Sequence, residues 1–97
     1  MGKTEDFSKV IKVVTELMDV TEQDVLSKSR VQDVVDARWM VIYFMKAKGY
    51  STRQISLLVL HPERTVNHAI NAFPDRVKYS NHTLRNILAI AQQQLQL

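Results

Sequence analysis

Ninety-seven residues make one domain's worth of chain, and a chain of this size buries only about two-thirds of its unfolded surface, so one modest core is the most to expect. Two Gly and two Pro in a sequence that is 45% hydrophobic favour compact helices over a turn-rich sheet or a disordered chain, and the absence of Cys excludes disulfides, thiolate metal sites and thiol nucleophiles. The net charge of +3 is unevenly placed: residues 1–50 hold eight Lys and Arg against eight acids, residues 51–97 five against two, together with all three His. A polyanion is drawn to the second half, with an affinity that salt weakens.

No apolar run reaches the roughly 18 residues of a membrane span, and MGKTEDFSK carries acids where a signal peptide has its apolar core, so a cytoplasmic location is expected. The spacing of Phe7, Val10, Ile11, Val14, Leu17 and Met18 predicts a first helix over Thr4 to Met18, with Thr4 as its cap and Glu5 and Asp6 at the positive end of its dipole. Lys9 and Lys12 lie off that stripe and should be solvated. Thr21 with Asp24 reads as a cap for one short helical turn carrying Val25 and Leu26, after which Ser27-Lys28-Ser29-Arg30 is a loop or a frayed helix start.

Val34 to Lys48 is apolar on nearly every side, which predicts a central helix packed on several faces and closed by Gly49. Arg38 is the polar exception in that run, suited either to pair with Asp33, Asp36 or another acid, or to contact phosphate. Ser51 and Gln54 then form a capping box that starts a short helix, in which Ile55, Leu58 and Val59 make an apolar stripe. His61 and Pro62 interrupt that pattern, and Pro62 suits the first turn of a second helix. Within it Val66, Ala69, Ile70 and Phe73 share one face, and Arg64, Asn67, His68 and Asn71 the opposite one. Residues 51–73 therefore read as a helix-turn-helix. Pro74 is expected to end its second helix, Asp75 to Asn81 to connect, and Leu84, Ile87, Leu88, Ala91 and Leu95 to build a last amphipathic helix with a frayed, Gln-rich end. The predicted fold class is all-α, a small bundle of five to six helices forming a single domain over residues 1–97.

Three stretches, in order along the chain, carry a resemblance to a known family. Asp24-Val25-Leu26-Ser27-Lys28-Ser29-Arg30 looks like a D-L-L-S-K-x-R segment, Ala37-Arg38-Trp39-Met40 like an A/P-R-x-M helix start, and Thr65-Val66-Asn67-His68-Ala69 like the end of D-H-[ST]-T-V-x-H-A. All three belong to the C-terminal DNA-binding domain of the bacterial replication initiator DnaA, a helical domain of the Trp-repressor-like class, which this chain resembles from its first helix to its last. The resemblance implies that fold and a DNA-binding mode. The chain departs from the family at Pro62-Glu63-Arg64, where an Asp-His pair and a hydroxyl residue are usual, and its turn there is one residue shorter. In place of the family's Arg-rich loop it has Val31 to Asp36, with acids at 33 and 36. The sequence holds no nucleotide-hydrolysing domain, so the resemblance does not imply initiation of replication. The spacing of Ile55, Val59, Thr65-Val66 and His68 is also similar to LuxR-type output domains, a pattern generic to helix-turn-helix units.

The expected function is binding of double-stranded DNA in a regulatory or replication-associated role, with the helix at 62–73 in the major groove. Arg64 is the candidate for guanine O6 and N7, and Asn67 or Asn71 for the paired contact to adenine. Thr65, His68 and Arg53 are phosphate candidates, with Lys28, Arg30 and Arg38 clamping the flanking backbone. The alternative is a module that kept the fold and docks on a protein partner, a replication or transcription factor, because Asp33 and Asp36 would repel phosphate. No metal site, cofactor or catalytic activity is expected: His61 and His68 are separated by Pro62, no acid completes a ligand set, and there is neither a nucleophile elbow nor a phosphate-cradling Gly-rich loop.

Overall fold

Local signals in the chain set most of the helix boundaries. Thr21 and Asp24 exchange bonds, the Asp24 N–H to Thr21 Oγ1 at 3.0 Å and the Thr21 N–H to Asp24 Oδ2 at 3.1 Å, and this box starts a helix of only five residues. Ser51 and Gln54 do the same at 3.1 and 2.9 Å. The computed structural model describes residues 2–80 and 82–97, with the side chain of Lys3 left aside, as six helices: α1 (Lys3–Met18), α2 (Glu22–Leu26), α3 (Gln32–Ala47), α4 (Thr52–Val59), α5 (Glu63–Lys78) and α6 (His82–Leu95). No strand occurs among the described residues, and no described helix is long and apolar enough to cross a membrane.

The core lies around α3, which packs on α1 and α5 and also meets α2 and α4. Met40, Val41, Ile42, Phe44 and Met45 are buried on all its sides, joined by Val10, Ile11 and Val14 of α1, Ile55 and Val59 of α4, and Val66, Ala69 and Phe73 of α5. Helix α6 closes the far side through Leu84, Ala91 and Leu95 against α1. As its place after the last apolar turn predicted, Gly49 takes the left-handed conformation, φ +100°, and lets α3 reverse into α4.

Three boundaries differ from expectation. Thr4 is not the cap of α1, because the helix begins two residues earlier: Gly2 holds the cap position and its carbonyl accepts the Asp6 N–H at 3.3 Å. Helix α3 starts at Gln32 instead of Val34, drawn back by a Gln32 to Asp36 side-chain bond of 2.9 Å. The largest difference is at Pro74, which does not end α5; the helix runs on to Lys78, so the expected connector from Asp75 exists only near Tyr79, with Asn81 outside the described residues. A proline here removes the N–H that would bond the Ile70 carbonyl, a cost of about 3 kcal/mol. Its ring is on the exposed side, while Phe73 and Val77 pack on the core and Arg76 makes a two-pronged ion pair with Asp36 of α3, Nε to Oδ1 at 2.9 Å and Nη2 to Oδ2 at 3.0 Å. Packing and that pair outweigh the lost bond.

Candidate nucleic-acid interface

Helices α4 and α5 with the intervening turn form a helix-turn-helix, and the turn is tight because Leu60 adopts a left-handed conformation, φ 62° and ψ 37°. Pro62 takes the cap position of α5 in an extended conformation, so the first helical residue is Glu63. No side-chain cap covers that end. The N–H groups of the first turn are therefore open to an outside acceptor.

The periodicity of α5 divides its residues cleanly. Val66, Ala69 and Phe73 are at most 1% exposed, and Arg64, Asn67, His68 and Asn71 are all exposed. These four share a face that neither α6 nor any other described element covers. They are not equally free. The Thr52 hydroxyl of α4 donates to Asn67 Oδ1 at 3.1 Å, which occupies the oxygen that a paired adenine contact would use. The His68 ring stands edge-on to Trp39 of α3, centroids 5.5 Å apart and planes at 82°. Arg64 and Asn71 carry no side-chain bond among the described residues.

Beside the start of α5 runs an open groove of about 550 Å³, walled by Trp39 and Val35 of α3, by Lys28, Ser29 and Arg30 of the loop before it, and by His61, Pro62, Thr65 and His68. Lys28 and Arg30 are exposed there, Thr65 is half-buried, and Arg53 is exposed on the first turn of α4. The loop and the turn of the helix-turn-helix, more than thirty residues apart in sequence, thus meet at one rim, whose exposed positive charge comes from Lys28 and Arg30.

Arg38 corrects the expectation made for it. It neither pairs with an acid nor reaches out for phosphate: it is 5% exposed, and its guanidinium donates to the carbonyls of Val25 (2.8 Å), Ser27 (2.8 Å), Ser29 (3.1 Å) and Asp24 (3.4 Å). The fork geometry of Arg suits these four carbonyls, two from α2 and two from the loop. Burial lowers its pKa from the ordinary value. The two acids of the 31–36 segment are also placed differently from what their sequence position suggested. Asp36 is buried and paired to Arg76, and with Asp33 it lines a second groove of about 620 Å³ between α1, α3, α5 and α6, which Lys28 and Arg30 do not line.

His61 was not singled out as a functional residue by its sequence context, yet it is only 8% exposed, with Nε2 2.9 Å from the Ser27 carbonyl. Burial lowers its pKa, the Ser27 carbonyl opposes that, and the positive charges of Arg38 and Lys28 add to the lowering. Trp39, the wall of the groove, was likewise unmarked: in sequence it is one more apolar residue of α3. Among the described residues no group of three or more His, Asp or Glu is arranged to hold a metal ion.

A search of curated proteins found none that matches the chain. A family model described as the bacterial dnaA protein helix-turn-helix matches residues 7–72, about two-thirds of the sequence, from α1 through the polar face of α5. The match ends just before Phe73 and Pro74, so it contains the helix-turn-helix, the loop with Lys28 and Arg30, and the buried Arg38 and His61. With six helices, the expected motif and this match, the chain belongs to the bacterial DnaA helix-turn-helix family.

Proposed function

We propose that residues 1–97 act as one double-stranded DNA-binding unit, with α5 in the major groove and the loop at Lys28 and Arg30 on the flanking backbone. The family points to DNA binding, and one observation carries the mode: the polar face of α5 is uncovered along its length and continuous with the basic rim at its first turn. Arg64 is the base-reading residue for guanine, its guanidinium able to meet O6 and N7 together. Asn71 is better suited than Asn67 to the paired adenine contact, because the Asn67 oxygen is already held by Thr52. Thr65, His68 and Arg53 meet phosphate, with Lys28 and Arg30 on the adjoining stretch of strand. A regulatory or replication-associated role fits a unit of this size, and catalysis has no part in the reading.

Selection of bound sequences from a random duplex pool identifies the site, and Arg64→Ala then tests the mode. Loss of roughly 1 to 3 kcal/mol with relaxed preference at one guanine is expected. Unchanged affinity and unchanged preference would remove Arg64 from the base-reading role. A wild-type protein that fails to bind mixed duplex even at low salt would instead favour a protein partner for this face.

A further inference from the structure

The loop between α2 and α3 is held at one point from two directions. The Ser27 carbonyl lies 2.8 Å from Arg38 Nη2 and 2.9 Å from His61 Nε2, so a residue of α3 and the turn of the helix-turn-helix converge on the same oxygen. Arg38 spreads its remaining bonds over the carbonyls of Asp24, Val25 and Ser29; the first two belong to the last turn of α2, and the Asp24 carbonyl also accepts the Ser27 N–H at 3.1 Å and the Ser27 hydroxyl at 2.6 Å. His61 is itself tied down, since the Ser56 hydroxyl of α4 donates to its carbonyl. The Ser27 and Ser29 hydroxyls accept the N–H groups of Ser29 (3.1 Å) and Val31 (3.3 Å), which closes the loop internally. A five-residue helix followed by four polar residues has little reason of its own to keep one conformation. Val25 in the core and the serine bonds hold it from within, Lys28 Nζ reaches the Leu60 carbonyl at 3.5 Å, and the two buried side chains that grip it from other elements are Arg38 and His61.

We propose that Arg38 and His61 are positioning residues for DNA binding: buried themselves, they lock Lys28 and Arg30 beside the first turn of α5, so that loop and helix meet one duplex as a preformed pair. The inference rests on the DNA-binding reading above and adds the source of the loop's geometry. Fixing the loop in the free protein removes an ordering cost from the binding step. It also explains how the basic loop stays beside α5 although loop and helix come from distant parts of the chain.

The test is a double-mutant cycle on the selected duplex, read by anisotropy of the labelled DNA at a temperature where circular dichroism shows each variant folded. Arg38→Gln is expected to lower affinity to the level of the Lys28→Ala/Arg30→Ala variant and to reduce the salt slope by about 2, at about 0.9 per phosphate contact. Combined with Lys28→Ala/Arg30→Ala it should add no further loss. Additive losses would mean that Arg38 acts on the fold at large, and would overturn the proposal, as would a Lys28→Ala/Arg30→Ala variant that binds like wild type. His61→Leu should reproduce the Arg38→Gln effect in weaker form, and His61→Gln, which keeps a donor for Ser27, should restore much of it; identical losses in the two would remove His61 from the role. Amide exchange in the DNA-free protein gives a readout that does not depend on binding: in Arg38→Gln, residues 27–31 should exchange faster while α4 and α5 keep wild-type rates. An unchanged loop would overturn the anchoring itself, whereas a loosened loop in a protein without DNA affinity would overturn only the reading it rests on.

Discussion

The ion pair at the end of α5 joins two side chains that water reaches to different extents, and that difference predicts unequal costs for removing them. The Asp36 side chain is 8% exposed and that of Arg76 36%. Arg76→Ala leaves a buried carboxylate with the Gln32 amide as its remaining partner, 2.9 Å away, and breaking a buried pair from one side costs about 3 to 5 kcal/mol. The open groove at this place lets some water in, so about 3 kcal/mol is expected, the low end of that range. Asp36→Ala breaks the same two bonds and the Gln32 bond as well, but it leaves an exposed amide and a guanidinium already a third in water, so the loss falls to about 1.5 to 2 kcal/mol, near that of one charge-assisted hydrogen bond. At roughly 4 to 8 °C per kcal/mol for a domain of this size, the melting temperature should fall by about 15 °C in the first variant and about 10 °C in the second. The double variant should be more stable than Arg76→Ala alone, because it leaves no orphan. Thermal melts followed by circular dichroism measure all three. A loss in Asp36→Ala that equals or exceeds that in Arg76→Ala would refute the argument from burial.

Three further outcomes are expected. Leu60→Gly should stabilise by about 0.5 kcal/mol, since the left-handed backbone costs a non-glycine residue about 1 to 2 kcal/mol, part of which the freer unfolded chain takes back, and the exposed Leu60 side chain gives up little burial; a lower denaturation midpoint would show that the turn is not strained. Pro74→Ala should add about 2 kcal/mol, the roughly 3 kcal/mol of the restored N–H and relieved ring less about 1 kcal/mol for the freer unfolded chain, measured by urea titration, and a destabilised variant would contradict the account of α5. For His61 the fold prefers the neutral ring, with burial and the charges of Arg38 and Lys28 outweighing the Ser27 carbonyl, so the unfolded chain takes a proton more readily. That contribution is complete above the ordinary His value of about 6.5 and is lost as pH falls below it; the melting temperature should drop on acidification, and drop less in His61→Gln, with equal drops counting against the assignment.

Much of this architecture was legible because it depends on nearest-neighbour chemistry. Both capping boxes, the glycine that closes α3, the stripe of α1 and the two faces of α5 can be read within a window of a few residues, and each appears where that window placed it. What escaped reading depends on partners far away in sequence. Pro74 should stop a helix on local grounds, and only Arg76 reaching Asp36 across 40 positions, with Phe73 and Val77 on the core, makes it continue. Arg38 in an apolar run signalled that something polar lay nearby, but not that the partners were carbonyls of α2 and the loop after it, 9 to 14 residues back. His61 offered no signal at all, since a histidine between a leucine and a proline looks the same whether it is solvated or buried.

The placement of the two acids bears most directly on function. Asp33 and Asp36 stand where the family carries basic residues, and in a linear reading they would repel phosphate from the loop. On α3, however, Val35, Arg38 and Trp39 recur at three and four residues and face the groove with Lys28 and Arg30, while Gln32, Asp33 and Asp36 recur on another side and face the groove with Arg76 and Tyr79. Asp36 has its charge matched by Arg76. Asp33 is left, and a helix with its side chains is about 10 to 12 Å across, close to the Debye length of about 8 Å at physiological salt. Its field is therefore much weakened at the groove that Lys28 and Arg30 border. The charge that a duplex would meet beside the first turn of α5 comes from Lys28 and Arg30 of the loop, opposed by Glu63 of α5 itself and not by the two acids of α3.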